Sequence, residues 1–120
     1  MTTDKFSDWH ISMRGIMEAT PPDLLYKWAL FDRDPIEQWT KGRVTLLGDA
    51  AHPMLPFLGQ GAAMSIEDGV ILGRCFSSMS DPIDAINCYE AARKPRTNAV
   101  LLGSRDQGRR FQGANPDEYD

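Results

Sequence analysis

One stretch of this sequence carries residue types that can do chemistry together: a carboxylate, an imidazole and two glycines ahead of a helix. It runs Gly48-Asp49-Ala50-Ala51-His52-Pro53 and continues as Pro56-Phe57-Leu58-Gly59-Gln60-Gly61-Ala62-Ala63. Asp49 follows a short apolar run. A carboxylate at the end of a buried strand can accept hydrogen bonds from the hydroxyls of a sugar or ribityl chain, or it can cap the turn it sits in. Small residues from Gly59 to Ala63 let a ligand come close to the backbone. The first amides of a helix lack intrahelical partners and favour negative charge; the plainer alternative is a glycine-bearing helix start with no ligand. His52 can serve as a base toward a phenol if a substrate comes within reach, or it can pin the loop. A hydrolase built on Asp49 and His52 is a further reading, for which the sequence identifies no oxyanion donor.

Gly59-Gln60-Gly61 opens like the dinucleotide fingerprint G-x-G-x-x-G, but Met64 stands where the third glycine belongs. The glycines also lie well beyond the preceding apolar run instead of directly after it, so the phosphate-binding βαβ reading fails here. No Walker A motif is present.

The elements that must position this loop read as follows. Residues 8–19 suit a short helix with Trp9, Ile11, Ile16 and Met17 as candidate buried positions, ended by Thr20-Pro21-Pro22. Leu25 to Phe31 is aromatic-rich and partly alternating, which predicts a strand. Arg43 to Leu47 predicts a short buried strand closed by Gly48-Asp49. A helix is expected from about Gly61 to Phe76, with Ala63, Ile66, Val70 and Gly73 on one face. Ser80-Asp81-Pro82 is a helix start that points Ile83, Ile86 and Tyr89 inward. Pro95 is expected to break or kink that helix, with another running from about Arg96 to Phe111.

Length and composition bound the function. A chain of 120 residues has room for one modest core, and 42% hydrophobic with 25% charged residues is ordinary for a folded chain. The net charge of -4 offers no basic stripe for nucleic acid. No run of about 18 apolar residues suggests a membrane span. Cys75 and Cys88 read as reduced, packed thiols, which agrees with a cytoplasmic location and leaves no metal-ligand set.

Taken together, Arg43 to Pro53 and Pro56 to Gly69 resemble the second flavin-binding motif of the FAD-dependent aromatic monooxygenases, in particular the salicylate hydroxylase-like and 6-hydroxynicotinate monooxygenase-like members. Trp28 to Pro35 resembles the strand and loop before that motif, and Tyr89 to Thr97 the helical segment after it. The resemblance implies an α/β fold: part of a glutathione-reductase-like FAD-binding domain, a few strands followed by long C-terminal helices. It implies that Asp49 binds the ribityl hydroxyls of FAD and that Pro56 lies beside the flavin ring. Gly59 and Gln60 would also belong to the cofactor-binding set, and Gly61, Ala62 and Ala63 would offer amides to the pyrimidine edge. It also implies NAD(P)H as co-substrate and a small aromatic substrate, with the cofactor supplying the chemistry.

Such enzymes carry their fingerprint in an N-terminal βαβ unit, which these residues lack. Residues 1–120 are therefore expected to form a single C-terminal portion of such a domain, binding FAD weakly or not at all alone. A complementing N-terminal half or a homo-oligomer is the partner this implies. The alternative is a non-catalytic remnant or a partner-dependent fragment.

Overall fold

The computed structural model describes residues 6–24, 26 and 28–113. Helix α1 spans Ile11–Ala19; His10 caps it, its side chain accepting from the Ser12 amide at 3.2 Å. Thr20 turns extended and closes it before the two prolines. None of its residues is buried, and Trp9, Ile11 and Ile16 are largely exposed. The amphipathic pattern forms the helix, but no core lies opposite it.

Two strands follow, β1 (Thr40–Lys41) and β2 (Val44–Thr45), paired antiparallel with Thr40 opposite Thr45 and Lys41 opposite Val44. Gly42, at φ 60°, takes the first central position of the two-residue turn, where a left-handed residue suits the hairpin twist. The Thr40 and Thr45 hydroxyls meet at 2.8 Å, and Leu46 N–H reaches Trp39 O at 3.1 Å. The strand expected over 43–47 is thus reduced to one arm of a hairpin. In the segment expected as a strand over 25–31, Leu25 and Lys27 lie outside the described residues. The others carry no ladder, with Trp28 and Phe31 81% and 82% exposed. A strand needs a neighbour for its amides and carbonyls, and the described residues offer none there. Of the α/β expectation, the long C-terminal helices are present and the sheet is small: the described residues are mostly helical with two short strands.

Helix α2 (Gly61–Ser78) and helix α3 (Pro82–Gly113) form a hairpin. Asp81 caps α3 as its sequence predicts, accepting from the Ile83 amide at 2.7 Å with Pro82 in the first turn. Two expectations fail. Pro95 does not break α3, which runs 32 residues through it. Pro95 is exposed, so the carbonyl one turn earlier, which loses its helical partner, lies on the solvent side, while the opposite face is packed. That face is Tyr89, Arg93, Thr97, Leu101, Ser104 and Gly108, all buried at helical spacing. On α2 the stripe Ala63, Ile66, Val70 and Gly73 faces outward. Met64, Asp68 and Cys75 face inward, with Ile71 and Leu72 half-buried. The core gathers Trp39, Ala51, Cys75, Ala85 and Tyr89 between the hairpin and the loop.

The radius of gyration is 20.1 Å, against about 14 Å for a compact chain of this length. The core therefore serves the loop and the hairpin, and no described residue from Ile11 to Phe31 is buried in it. No helix among the described residues is long and apolar enough to cross a membrane.

Candidate functional site

The site is assembled around Gly48. Its φ of +59° lies in the left-handed region, and a Cβ there would sit 2.9 Å from the Ser65 hydroxyl oxygen, so only glycine fits. Its carbonyl accepts from the amides of Ala51 at 2.8 Å and His52 at 2.9 Å, folding Gly48–Ala50 into one 3-10 turn. Its amide donates to Asp68 Oδ2 at 3.0 Å. Asp49 follows with an exposed side chain that accepts no hydrogen bond among the described residues. The capping alternative for Asp49 finds no contact in this geometry, and its carboxylate remains free for a ligand.

Asp68 is fully buried on α2 and is held from three sides. Oδ2 meets His52 Nε2 at 2.6 Å as well as the Gly48 amide, and Oδ1 accepts from Arg93 Nε at 2.7 Å. Arg93, itself buried on α3, donates on to Glu67 at 2.6 Å and to Met64 O at 3.3 Å. Arg96 forms a two-point pair with Glu67, both contacts at 2.8 Å. Hydrogen bonds from Arg96 and then Arg93 hold the Glu67 carboxyl well below its ordinary value, at about 2. A buried charge pair needs such saturation, because each ion loses its hydration on folding. Tyr89 completes the inner wall, its hydroxyl donating to Leu46 O at 3.2 Å. Burial, then the Asp68 charge, push its phenol well above the usual range.

The loop's far end is fixed by α3 as well. Ser104 donates to Leu55 O, and the Phe57 ring lies over Gly108, where a Cβ would collide with it. Arg33 donates to Ala51 O at 3.1 Å and to Ala50 O. Arg105 anchors the chain that carries Arg33, meeting Asp32 and Asp34 at 2.7 Å each.

On the loop's outer side lies an open cavity of about 410 Å3 lined by Asp49, Met54, Leu55, Pro56, Gly59, Gly61, Ala62 and Ser65. Asp49, Pro56, Gly59, Gly61 and Ala62, five of the seven residues expected to bind cofactor, are brought together there; Gln60 and Ala63 are exposed and off its wall. Gly59, left-handed at φ 63°, ends the Pro56–Leu58 turn and redirects the chain into α2. The Met64 amide is the first to find its helical acceptor, Gln60 O at 2.9 Å. The amides of Gly61, Ala62 and Ala63 precede it and stand at the positive end of an 18-residue helix. His52 does not line the cavity. It is 1% exposed, packed against Trp39 at 5.5 Å between ring centroids and bound to Asp68.

Sequence reasoning leaves out Asp68, Arg93, Ser104 and Arg33. A signal existed for the first two: Asp68 stands four residues after Met64 and Arg93 four after Tyr89, so each repeats a buried helical position with a charge.

A loop with a free carboxylate, small residues and unpaired helix amides around one cavity has groups that can flank a bound small molecule. Residues 24–104 match the FAD binding domain family, more than half of the chain. The chain belongs to the FAD-binding monooxygenase family. It is 42% identical over 114 residues to 6-hydroxynicotinate 3-monooxygenase of Bordetella bronchiseptica, covering 93% of this chain and 29% of that protein. It is 43% identical over 100 residues to aurachin C monooxygenase/isomerase of Stigmatella aurantiaca, covering 83% and 26%. Klebsiella pneumoniae HpxO, solved with FAD and uric acid, superposes with a TM-score of 0.84 at 32% identity, over 89% of this chain and 28% of that one. The chain thus spans between a quarter and a third of the length of these relatives.

Proposed function

We propose that this chain forms the flavin-facing wall of a flavin-dependent monooxygenase that hydroxylates a small aromatic compound. The observation that supports this reading above all is the convergence of Asp49, Pro56, Gly59, Gly61 and Ala62 on one cavity. Its volume lies within the roughly 300–1,000 Å3 typical of small-molecule pockets, and its groups suit FAD. Asp49 offers an acceptor to ribityl hydroxyls, and Pro56 a flat apolar flank. Gly61, Ala62 and Ala63 offer amides and the helix dipole to the electron-rich pyrimidine edge. When bound, FAD takes electrons from NAD(P)H and supplies the oxygen chemistry.

The protein's own part is placement. His52, buried with Asp68, acts as a positioning group for the loop and not as the substrate's base. Relatives named for 6-hydroxynicotinate and 3-hydroxybenzoate, and a neighbour solved with uric acid, support a small ring substrate. A cytoplasmic location belongs to the same reading.

A second reading is favoured by a separate observation. Tyr26, Trp28, Leu30, Phe31, Ile66 and Val70 are all exposed, more large apolar surface than a free-standing chain usually leaves bare. It is that the chain works only with a complementing N-terminal, dinucleotide-binding half.

Flavin retention separates the ligand role of Asp49 from a purely structural one. In the complete flavoprotein, Asp49→Ala is expected to weaken FAD binding about 10- to 100-fold, the ~1.5–3 kcal/mol of a hydrogen bond to a charged group. Unchanged flavin content after dialysis removes the ribityl role from Asp49.

A further inference from the structure

We propose that Asp68 is the positioning residue of the flavin loop: its buried carboxylate, held by Arg93, grips the Gly48 peptide and so aims Asp49 into the cavity. The inference rests on the reading of Asp49 as the ribityl acceptor and adds the device that sets its direction.

The geometry leaves the two peptide planes that meet at Gly48 little freedom. Its amide is bound to Asp68 Oδ2 at 3.0 Å, and its carbonyl accepts two amides at 2.8 and 2.9 Å. Ser65 closes the space where a side chain would stand. Asp49 is the next residue: the Asp68-bound amide fixes the peptide plane before Gly48, the twice-bonded carbonyl fixes the plane after it, and the two planes together set the Asp49 Cα–Cβ direction. The same oxygen of Asp68 also takes His52 Nε2 at 2.6 Å, three residues beyond Asp49. One carboxylate oxygen therefore holds the turn on both sides of the ligand residue. A carboxylate facing Nε2 requires that nitrogen to carry the proton, so His52 serves here as a donor.

Asp68 is kept in place in turn. It sits fully buried on α2, and its other oxygen meets Arg93 Nε at 2.7 Å. The remaining Arg93 nitrogens are used by Glu67 and Met64 O. The guanidinium plane is thus fixed by three partners, and it fixes the carboxylate plane. Burying these charges is a poor way to gain stability compared with apolar packing. Orientation is what the arrangement provides that a packed leucine would not.

Hydrogen exchange on the 15N-labelled chain tests this without flavin. In Asp68→Asn, exchange of the Gly48 amide is expected to accelerate at least 10-fold more than that of a core amide such as Tyr89, and the Gly48, Asp49 and His52 ring resonances should move. Asp68→Glu keeps the charge opposite Arg93 but displaces the oxygens by one methylene; it is expected to give the same selective effect and serves where Asp68→Asn does not fold. Ala85→Gly, a buried change at the hairpin end, should accelerate Gly48 and Tyr89 by equal factors. Equal acceleration at Gly48 and Tyr89 in the Asp68 variants, or an unmoved Gly48 resonance, overturns the proposal.

An FAD titration by flavin fluorescence in the complete flavoprotein forms a separate arm. At least 10-fold weaker binding in Asp68→Asn is expected. Absence of FAD binding in the unsubstituted protein counts against the flavin reading, while the exchange result still decides the role of Asp68.

Discussion

The loop from Leu46 to Leu58 has two sides built on opposite plans. Its inner side is tied to the helices at short intervals: Leu46 O by Tyr89, Gly48 and His52 by Asp68, Leu55 O by Ser104, and Phe57 by contact with Gly108. Its outer side carries Asp49 and Pro56, which with the amides of Gly61 and Ala62 at the start of α2 gather around one cavity. The contrast shows how a loop can be rigid and open at once. The polar groups of its backbone are satisfied from behind, so those in front need no partner from the protein.

If the inner side is scaffold, damage there must appear as lost stability. Arg93→Ala is expected to have the largest effect, about 3–5 kcal/mol, because it leaves the Asp68 charge buried without its partner. Urea denaturation measures it, and a loss below 1 kcal/mol would show that the network is not structural. Gly108→Ala comes next. The new methyl falls on the Phe57 ring and is expected to cost about 1–3 kcal/mol. Its signature in a thermal melt should be accompanied by a shifted Phe57–Phe111 aromatic contact in NMR spectra, since those rings now sit 6.0 Å apart.

The smallest effect concerns the rim of the network. The Glu67 carboxyl is depressed from 4.5 to about 2, first by Arg96 and then by Arg93. A carboxyl depressed on folding contributes stability above its unfolded value. That contribution is lost as pH falls from about 4.5 toward 2. Arg96→Ala is expected to move the onset of acid unfolding to higher pH by a small step. An identical acid profile in the variant removes Glu67 from the account.

The two sides also differed in how far they could be read from sequence. Much of the outer side depends on residue type: Asp49, Gly59 and the glycine-bearing helix start are local signals, whereas Pro56 came only with the family resemblance. The Asp81-Pro82 start of α3 was legible for the same reason. The inner side depends on what faces what. Counting apolar residues on α2 selects Ala63, Ile66, Val70 and Gly73, yet the buried stripe contains Asp68, a charge that belongs inside only because Arg93 meets it there. Pro95 predicts a break that α3 does not show, since the lost hydrogen bond falls on its wet side. The strand over 25–31 is a pattern whose realisation needs a neighbouring strand, and the described residues contain none.

Amide shifts on adding FAD to the 15N-labelled complete flavoprotein test the central claim most directly. A competing surface exists on the same helix, a groove of about 320 Å3 lined by Ile66, Glu67, Val70, Ile71, Arg74 and Arg93. The shifts are expected to concentrate at Asp49, Gly59, Gly61 and Ala62. FAD binding with those amides unmoved, or with shifts confined to the Ile66–Arg74 groove, would contradict that claim.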